Sequence, residues 1–581
     1  MRAAPGRRRR VLPSAPPRSV LVFLVVLVAA LATSCAGVPV SSPVRLASPS
    51  PSQQQRGGVT VYPAGPIDGA SPLGVVDGFL ESMASYQAGY QVAREFLTPS
   101  AQTSWSLGTV QVFDQLPTSA LSVDGSTIVL KANEVAEIGV DGRWTSLLPG
   151  QAKTVRFPME KLDGQWRISK PPVGVVMSKF DTNREFAAYD LAFFDPGFRW
   201  FISERRFLPA RGSLESMLVA RLFAGPSSWL APVVRSAVPE GENAPPSVTV
   251  TGDTARVSID DLRVSNLGND ERRLLYAQIS ETLAQVGISS VSIVVRQVPL
   301  SVDGFADGPI PVQTWSGFEL GDQNVSGVRF AFVGDKISVL APGTTGGALV
   351  EQLHGQNGRS CAVSPTSDRL AIVDKAGRLV RLADAAGTKS NVILTGTSIA
   401  QPSFDPAGDL WLVDTTSKGS SVWIYRDHKL LAVGIGALGT QHITALRVSA
   451  DGARVALTVR TGTTSSLVIA RLQRTGSKAV PALGAPLTIR VDLDRIDGLA
   501  WSANATLALL ASRGGAPLQP YQVTTDGAAV DNVGSSPNAR SLAAELGQPL
   551  LLGGTDGRVY SYEQGVRWQD LAAGENPCYP G

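Results

Sequence analysis

Three histidines, three cysteines and the adjacent carboxylates Asp260 and Asp261 are the first residues to weigh for chemistry in this 581-residue sequence. His354, His428 and His442 could ligate a metal or shuttle a proton, but no two of them stand at a metal-ligand spacing. Asp260 and Asp261 could form an acid/base pair, yet neighbours on a strand point to opposite faces, so they read as a solvated strand end. Gly434, Gly436 and Gly439 spell a dinucleotide-binding fingerprint. That use requires the glycines to open a helix, with an acidic residue about 20 positions on. Residues 443–449 alternate like a strand instead, so the glycines read as turn residues. The sequence contains no Walker loop, paired CxxC motif, nucleophile elbow or zinc-protease helix. The expectation is a non-enzyme, with no catalytic residue, no cofactor and no metal.

Among the thiols, Cys35 has the clearest context. Arg2, Arg7, Arg8, Arg9, Arg10 and Arg18 precede an apolar run over residues 20–32, followed by Thr33 and Ser34. A run of 13 residues makes about 20 Å of helix against a hydrocarbon core of about 30 Å, too short for a permanent span. Small residues before a lone cysteine resemble the lipobox of bacterial lipoproteins, although Ala32 stands where that motif usually has leucine. The resemblance implies that residues 1–34 are a signal peptide and that Cys35 receives a diacylglyceryl group, with further acylation of the new amino terminus. Several acyl chains, at about 0.8 kcal/mol per buried methylene, would hold the chain on the extracytoplasmic face of the cell membrane. Residues 35–70, rich in Pro, Ser and Gln, read as a flexible lipid-anchored linker. The leader also decides what the charge means. There are 52 basic and 49 acidic residues in all; without the six leader arginines the count is 46 against 49, and the argument for nucleic acid as a partner disappears.

Past residue 70 the pattern becomes globular, and the length predicts several domains. Ser71 can cap a helix whose Pro72 suits the first turn and whose Leu73, Val76, Leu80 and Met83 recur at helical spacing. A second short helix carries Val92, Ala93, Phe96 and Leu97, and alternating stretches follow at 127–131, 154–157 and 166–168. Helices followed by a meander, with the phrase at residues 162–168, resemble NTF2-like α+β cones. The resemblance assigns residues 71–200 to such a domain and implies a pocket within it. Ser213 begins a helix with Leu214, Met217, Leu218 and Leu222, stopped by Gly225 and Pro226. Strands at 248–250 and 255–259, a helix with Leu275, Ile279, Leu283 and Val286, and a strand at 291–295 complete a second α+β unit. Its phrases at 222–227 and 255–259, with Thr282 and Leu283, resemble a GerMN domain, placed at 208–300.

From about residue 310 the chain repeats itself. Segments 362–365, 403–406, 447–452 and 500–503 each lead through a turn to an apolar strand. Aligned at Pro365, Pro406, Ala450 and Ala503, the copies stand 41, 44 and 53 residues apart, close to the period of propeller blades, about 40 to 50. Weaker copies at 330–340 and 542–552 bring the count to six. Residues 310–581 are therefore expected to form an all-β propeller of six blades, with five or seven allowed by the degenerate end copies. The repeated phrase resembles TolB-like and WD-type blade motifs. Ser403, Asp405, Gly408 and Trp411 resemble the Asp-box of sialidase propellers with one residue too many between Asp and Gly, and read as a blade turn.

A propeller must join its last blade to its first, or a strand edge stays open. Cys361 lies in an early blade and Cys578 near the last residue, and exported chains favour paired thiols. A disulfide between them is expected to staple the end of the chain to the ring. The order of lipobox, linker, NTF2-like region, GerMN-like region and propeller is similar to the actinobacterial lipoprotein LpqB family. Its matching phrases are residues 35–39, 94–99 and 578–581. The resemblance implies a regulator that touches the extracytoplasmic domain of an MtrB-like sensor histidine kinase in a two-component system governing the cell envelope and division. The competing expectation is a propeller that binds or cleaves cell-wall glycan, because carboxylates brought together only in space leave no motif.

Overall fold

The computed structural model describes residues 63–581 apart from 125, 148–149, 151, 242–243, 321–326, 341–346, 349–357, 385–389, 475, 477–478, 537 and 564–566. The leader, Cys35, most of the linker and His354 lie outside the described residues.

The first helix, Pro72–Met83, starts where its cap dictates: Gly74 N–H donates to Ser71 Oγ at 3.1 Å. Its buried face carries Val75, Val76, Phe79, Leu80 and Met83. Against it lie two four-stranded sheets. One runs in the order Trp144–Ser146, Glu134–Ile138, Val110–Phe113, Val175–Ser178; the other in the order Leu121–Asp124, Thr127–Ala132, Lys153–Leu162, Gln165–Ile168. Phe79, Phe96, Phe113 and Phe157 fill the space between, each under 2 % exposed or close to it. The expected meander is interrupted once: Val110–Phe113 pairs in parallel with Val175–Ser178, a connection that alternation alone does not reveal.

A long hairpin, Phe186–Phe194 with Phe201–Pro209, leads into the second region. Leu191, Phe193 and Phe194, grouped by the sequence reading with the first domain, are buried in one cluster with Leu218, Val257 and Leu275 of the second. That cluster lies between the helices Leu214–Phe223 and Asn269–Ala284 and a sheet ordered Ser247–Thr251, Thr254–Ile259, Ser290–Val295, Val298–Pro299. Thr254–Ile259 and Ser290–Val295 are parallel, so the helix between them is the crossover such a pair requires. The segment Val312–Phe318, placed by sequence in the propeller, sends Trp315 and Phe318 into this same core.

Beyond it, the described residues form six four-stranded antiparallel sheets between Arg329 and Cys578, the arrangement of a propeller. Five are consecutive meanders, beginning at Gly358–Val363, Ser403–Phe404, His442–Val448, Arg495–Ala503 and Ala539–Ala543. The sixth is shared: Glu575–Cys578 pairs with Arg329–Val333, bringing Cys578 opposite Phe330. The weak copy at 330–340 is therefore the second and third strand of its sheet, and its first strand comes from the far end of the chain. The first strands stand side by side, as three hydrogen bonds show. Gln401 Nε2 donates to Cys361 O at 3.0 Å, Val448 N to Ser403 Oγ at 3.3 Å and Trp501 Nε1 to Arg447 O at 3.1 Å.

The 53-residue interval also has a cause. The sheet it spans has long arms, including Thr464–Gln473 and Ala482–Ile489. They meet the second region, where Trp229 Nε1 donates to Ala485 O at 2.8 Å and Arg471 Nη1 to Trp229 O at 3.0 Å. Trp200 Nε1 adds a bond to Asp451 O at 3.0 Å, and Arg454 donates to Ser203 O.

Candidate functional site

The recurring Ser or Asp of the repeat exists to tie a turn. Ser364 Oγ accepts from Arg369 N at 2.9 Å and Ser449 Oγ from Arg454 N at 3.0 Å, the same i+5 bond in two sheets. Asp405 does this with a carboxylate, accepting from Ala407 N at 2.9 Å, Asp409 N at 3.0 Å and Trp411 Nε1 at 2.8 Å, while Arg474 donates as well. The Asp-box likeness thus corresponds to a blade turn with a tryptophan held beneath it.

These turns and the ends of the first strands enclose the central funnel, whose empty volume is about 1030 Å³ including its mouth. Its wall is mainly small or apolar, with Ala362, Pro402, Val448, Ala500, Trp501 and Ala543 prominent. Three side-chain carboxylates line it, together with Gly581, and each of the three side chains is engaged. Asp405 is held as described. Asp451 accepts from Ala453 N at 2.9 Å and Arg454 Nη1 at 2.6 Å, and Glu545 Oε2 accepts from Gly327 N at 3.1 Å. Burial pushes the Asp405 carboxyl above its ordinary value, while Arg474 and the Trp411 indole pull it back. With four donors aimed at its two oxygens, Asp405 has no geometry for giving a proton to a bound sugar.

Arg447 is the exception to this neutralised lining. Its Nη1 donates to Leu446 O at 2.7 Å, Gln401 O at 3.0 Å and Pro402 O at 3.4 Å. It is absent from every ion pair between described residues. Burial lowers its pKa to about 10, still charged at neutral pH, and no carboxylate offsets that burial. Asn504, further round the wall, has an Oδ1 with no partner among the described residues.

The other candidate residues lie elsewhere. Cys361 and Cys578 are joined in the funnel wall, S–S 2.08 Å and Cα–Cα 6.1 Å, across 217 residues of sequence. His428 sits exposed with Asp427 in a hairpin turn, both with positive φ, and His442 is exposed at the start of its strand. Asp261 caps the turn Leu262–Ser265 and pairs with Arg263, which keeps its carboxyl below the ordinary range. The glycine fingerprint falls between two sheets, where Gly436–Thr440 form a single 3₁₀ turn. Arg447 carries no motif, since its setting depends on carbonyls from a neighbouring sheet.

Two α+β regions packed against six four-stranded antiparallel sheets, with a funnel among those sheets, define a multidomain protein of propeller-bearing architecture. Three family models match the chain in order: the LpqB N-terminal domain at residues 65–183, a sporulation and spore germination domain at 192–304, and the lipoprotein LpqB beta-propeller domain at 341–580. The lipoprotein LpqB of Thermobifida fusca (strain YX) is 24% identical over 633 residues, covering 96% of this chain and 99% of the relative. That of Streptomyces coelicolor is 25% identical over 645 residues, covering 99% of each. The chain belongs to the LpqB lipoprotein family. Among solved structures, TolB from Acinetobacter baumannii aligns with 52% of this chain and 86% of its own at a TM-score of 0.35 and 14% identity. No helix among the described residues is long and apolar enough to cross a membrane.

Proposed function

We propose that this chain is a lipid-anchored, extracytoplasmic and non-catalytic regulator that acts by touching the sensor kinase of an MtrB-like two-component system. In this reading Cys35 carries the anchor, the first region is an NTF2-like cone, and the six sheets are the blades of one ring. The observation that carries the reading is the funnel. Its acids are committed to fixed donors and its wall is largely apolar, which suits recognition rather than bond cleavage. Relatives matched over nearly the whole chain are named lipoproteins, in keeping with an anchor. An anchor confines two surfaces near one plane and raises their effective concentration, so a weak interface suffices.

The test is crosslinking in living cells followed by identification of the captured partner, with Cys35→Ala in parallel. The reading expects a sensor kinase captured by the wild type and a large loss of capture, with the protein released from the membrane, in the variant. Capture of no sensor kinase contradicts it.

A further inference from the structure

The funnel's charge points to a specific ligand. A guanidinium binds a carboxylate best side-on, through Nε and Nη2 together. The protein itself shows this pairing: Arg426 holds Asp409 through Nε at 2.7 Å and Nη2 at 2.5 Å. On Arg447 the arrangement is half complete. Three carbonyls fix Nη1 and so orient the guanidinium plane. Nε and Nη2 have no partner among the described residues, and neither is among the sealed, unpartnered buried atoms, so this edge faces accessible space. Arg447 lines the funnel, which makes that space the funnel.

We propose that the funnel binds the terminal carboxylate of a peptide, clasped side-on by Nε and Nη2 of Arg447, with the last side chains against the apolar wall. The charge balance selects a carboxylate over a phosphate. The open Nε and Nη2 edge matches the two oxygens of one carboxylate, and a dianion would place more negative charge beside Asp405, Asp451, Glu545 and Gly581. The wall selects a chain end over a bare ion: Ala362, Val448, Ala500 and Trp501 offer apolar contact that a small inorganic anion cannot use. The proposal deepens the reading of the propeller as a recognition module, yet a failed titration leaves the kinase contact, tested by crosslinking, standing.

The experiment is calorimetric titration of the full-length protein in detergent with N-acetyl-alanyl-alanine, with the same dipeptide as its C-terminal amide, with acetate and with inorganic phosphate. The expected result is saturable 1:1 binding of the free acid and affinity weaker by about 30-fold or more for the amide, which loses the charge-assisted pair. Arg447→Met should lose the free acid to the same extent. Arg447→Lys should weaken it by about 10-fold, because an ammonium cannot reproduce the fork. Should either variant fail to fold, the acid-to-amide contrast on the wild type decides alone. Equal binding of acid and amide, binding of neither, or tighter binding of phosphate overturns the proposal. Acetate as tight as the dipeptide overturns the chain-end assignment.

Discussion

Replacing Cys361 and Cys578 with alanine tests whether the end of the chain is held to the ring by its covalent tie. The bridge spans 217 residues, and a crosslink over a loop of that length removes roughly 18 cal/mol/K of entropy from the unfolded chain, about 5 kcal/mol at 25 °C. The tie joins two neighbouring first strands, Gly358–Val363 and Glu575–Cys578, and the second of these completes the sheet begun by Arg329–Val333. Losing it should therefore destabilise the propeller and leave the other two regions nearly unchanged. A domain of about 250 residues shifts by roughly 2 to 4 °C per kcal/mol, so the propeller transition should fall by about 10 to 20 °C. Scanning calorimetry of oxidised wild type, reduced wild type, Cys361→Ala, Cys578→Ala and the double variant gives the assay. Either single variant already breaks the bond, so both singles and the double should melt together, a non-additivity of about 5 kcal/mol. A double variant melting within about 2 °C of wild type would refute the reasoning, because strand pairing alone would then close the ring.

Other consequences follow from particular side chains. Glu281, on the helix Asn269–Ala284, is raised to about 7 by burial and then by the charges of Glu319 and Asp190. Because the folded form binds the proton more tightly, its contribution is complete below the unfolded value, near 4.5, and is lost as pH rises through about 7. The second region should lose up to about 3 kcal/mol across that window, and Glu281→Gln should flatten the profile measured by urea unfolding. Arg454 and Asp451 form a buried pair at 2.6 Å, so Arg454→Met should cost about 3 to 5 kcal/mol in denaturant titration by leaving Asp451 without its cation. Tyr90 has a buried hydroxyl with no partner among the described residues, so Tyr90→Phe should be neutral or stabilising by up to about 2 kcal/mol in a thermal melt.

How much of this was legible in the sequence depends on how far the controlling interaction reaches. The helix start at Ser71 is set by a cap within three residues, and the repeat is visible because Ser364, Asp405 and Ser449 each tie a turn four or five residues long. The strand Glu575–Cys578 is another matter. It is short, contains Pro577, and owes its place to Phe330 and Phe332 at the other end of the propeller. The hairpin from Phe186 has apolar residues on both faces of its second half, which hides its alternation and its membership of the second core. Arg447 looks like one more charged residue in a strand. The role proposed for it depends on carbonyls from the neighbouring sheet that fix Nη1 while no acid among the described residues pairs with its other edge.

The most direct measurement of the central claim is kinase output in liposomes. The full-length chain and an MtrB-like sensor kinase would be reconstituted together, and autophosphorylation followed with the chain absent, anchored, or supplied as Cys35→Ala at the same total concentration. The account predicts a changed rate with the anchored chain and a return toward the kinase-alone rate with the unanchored one, since the anchor supplies the effective concentration. An unchanged rate with the anchored chain in place would contradict it.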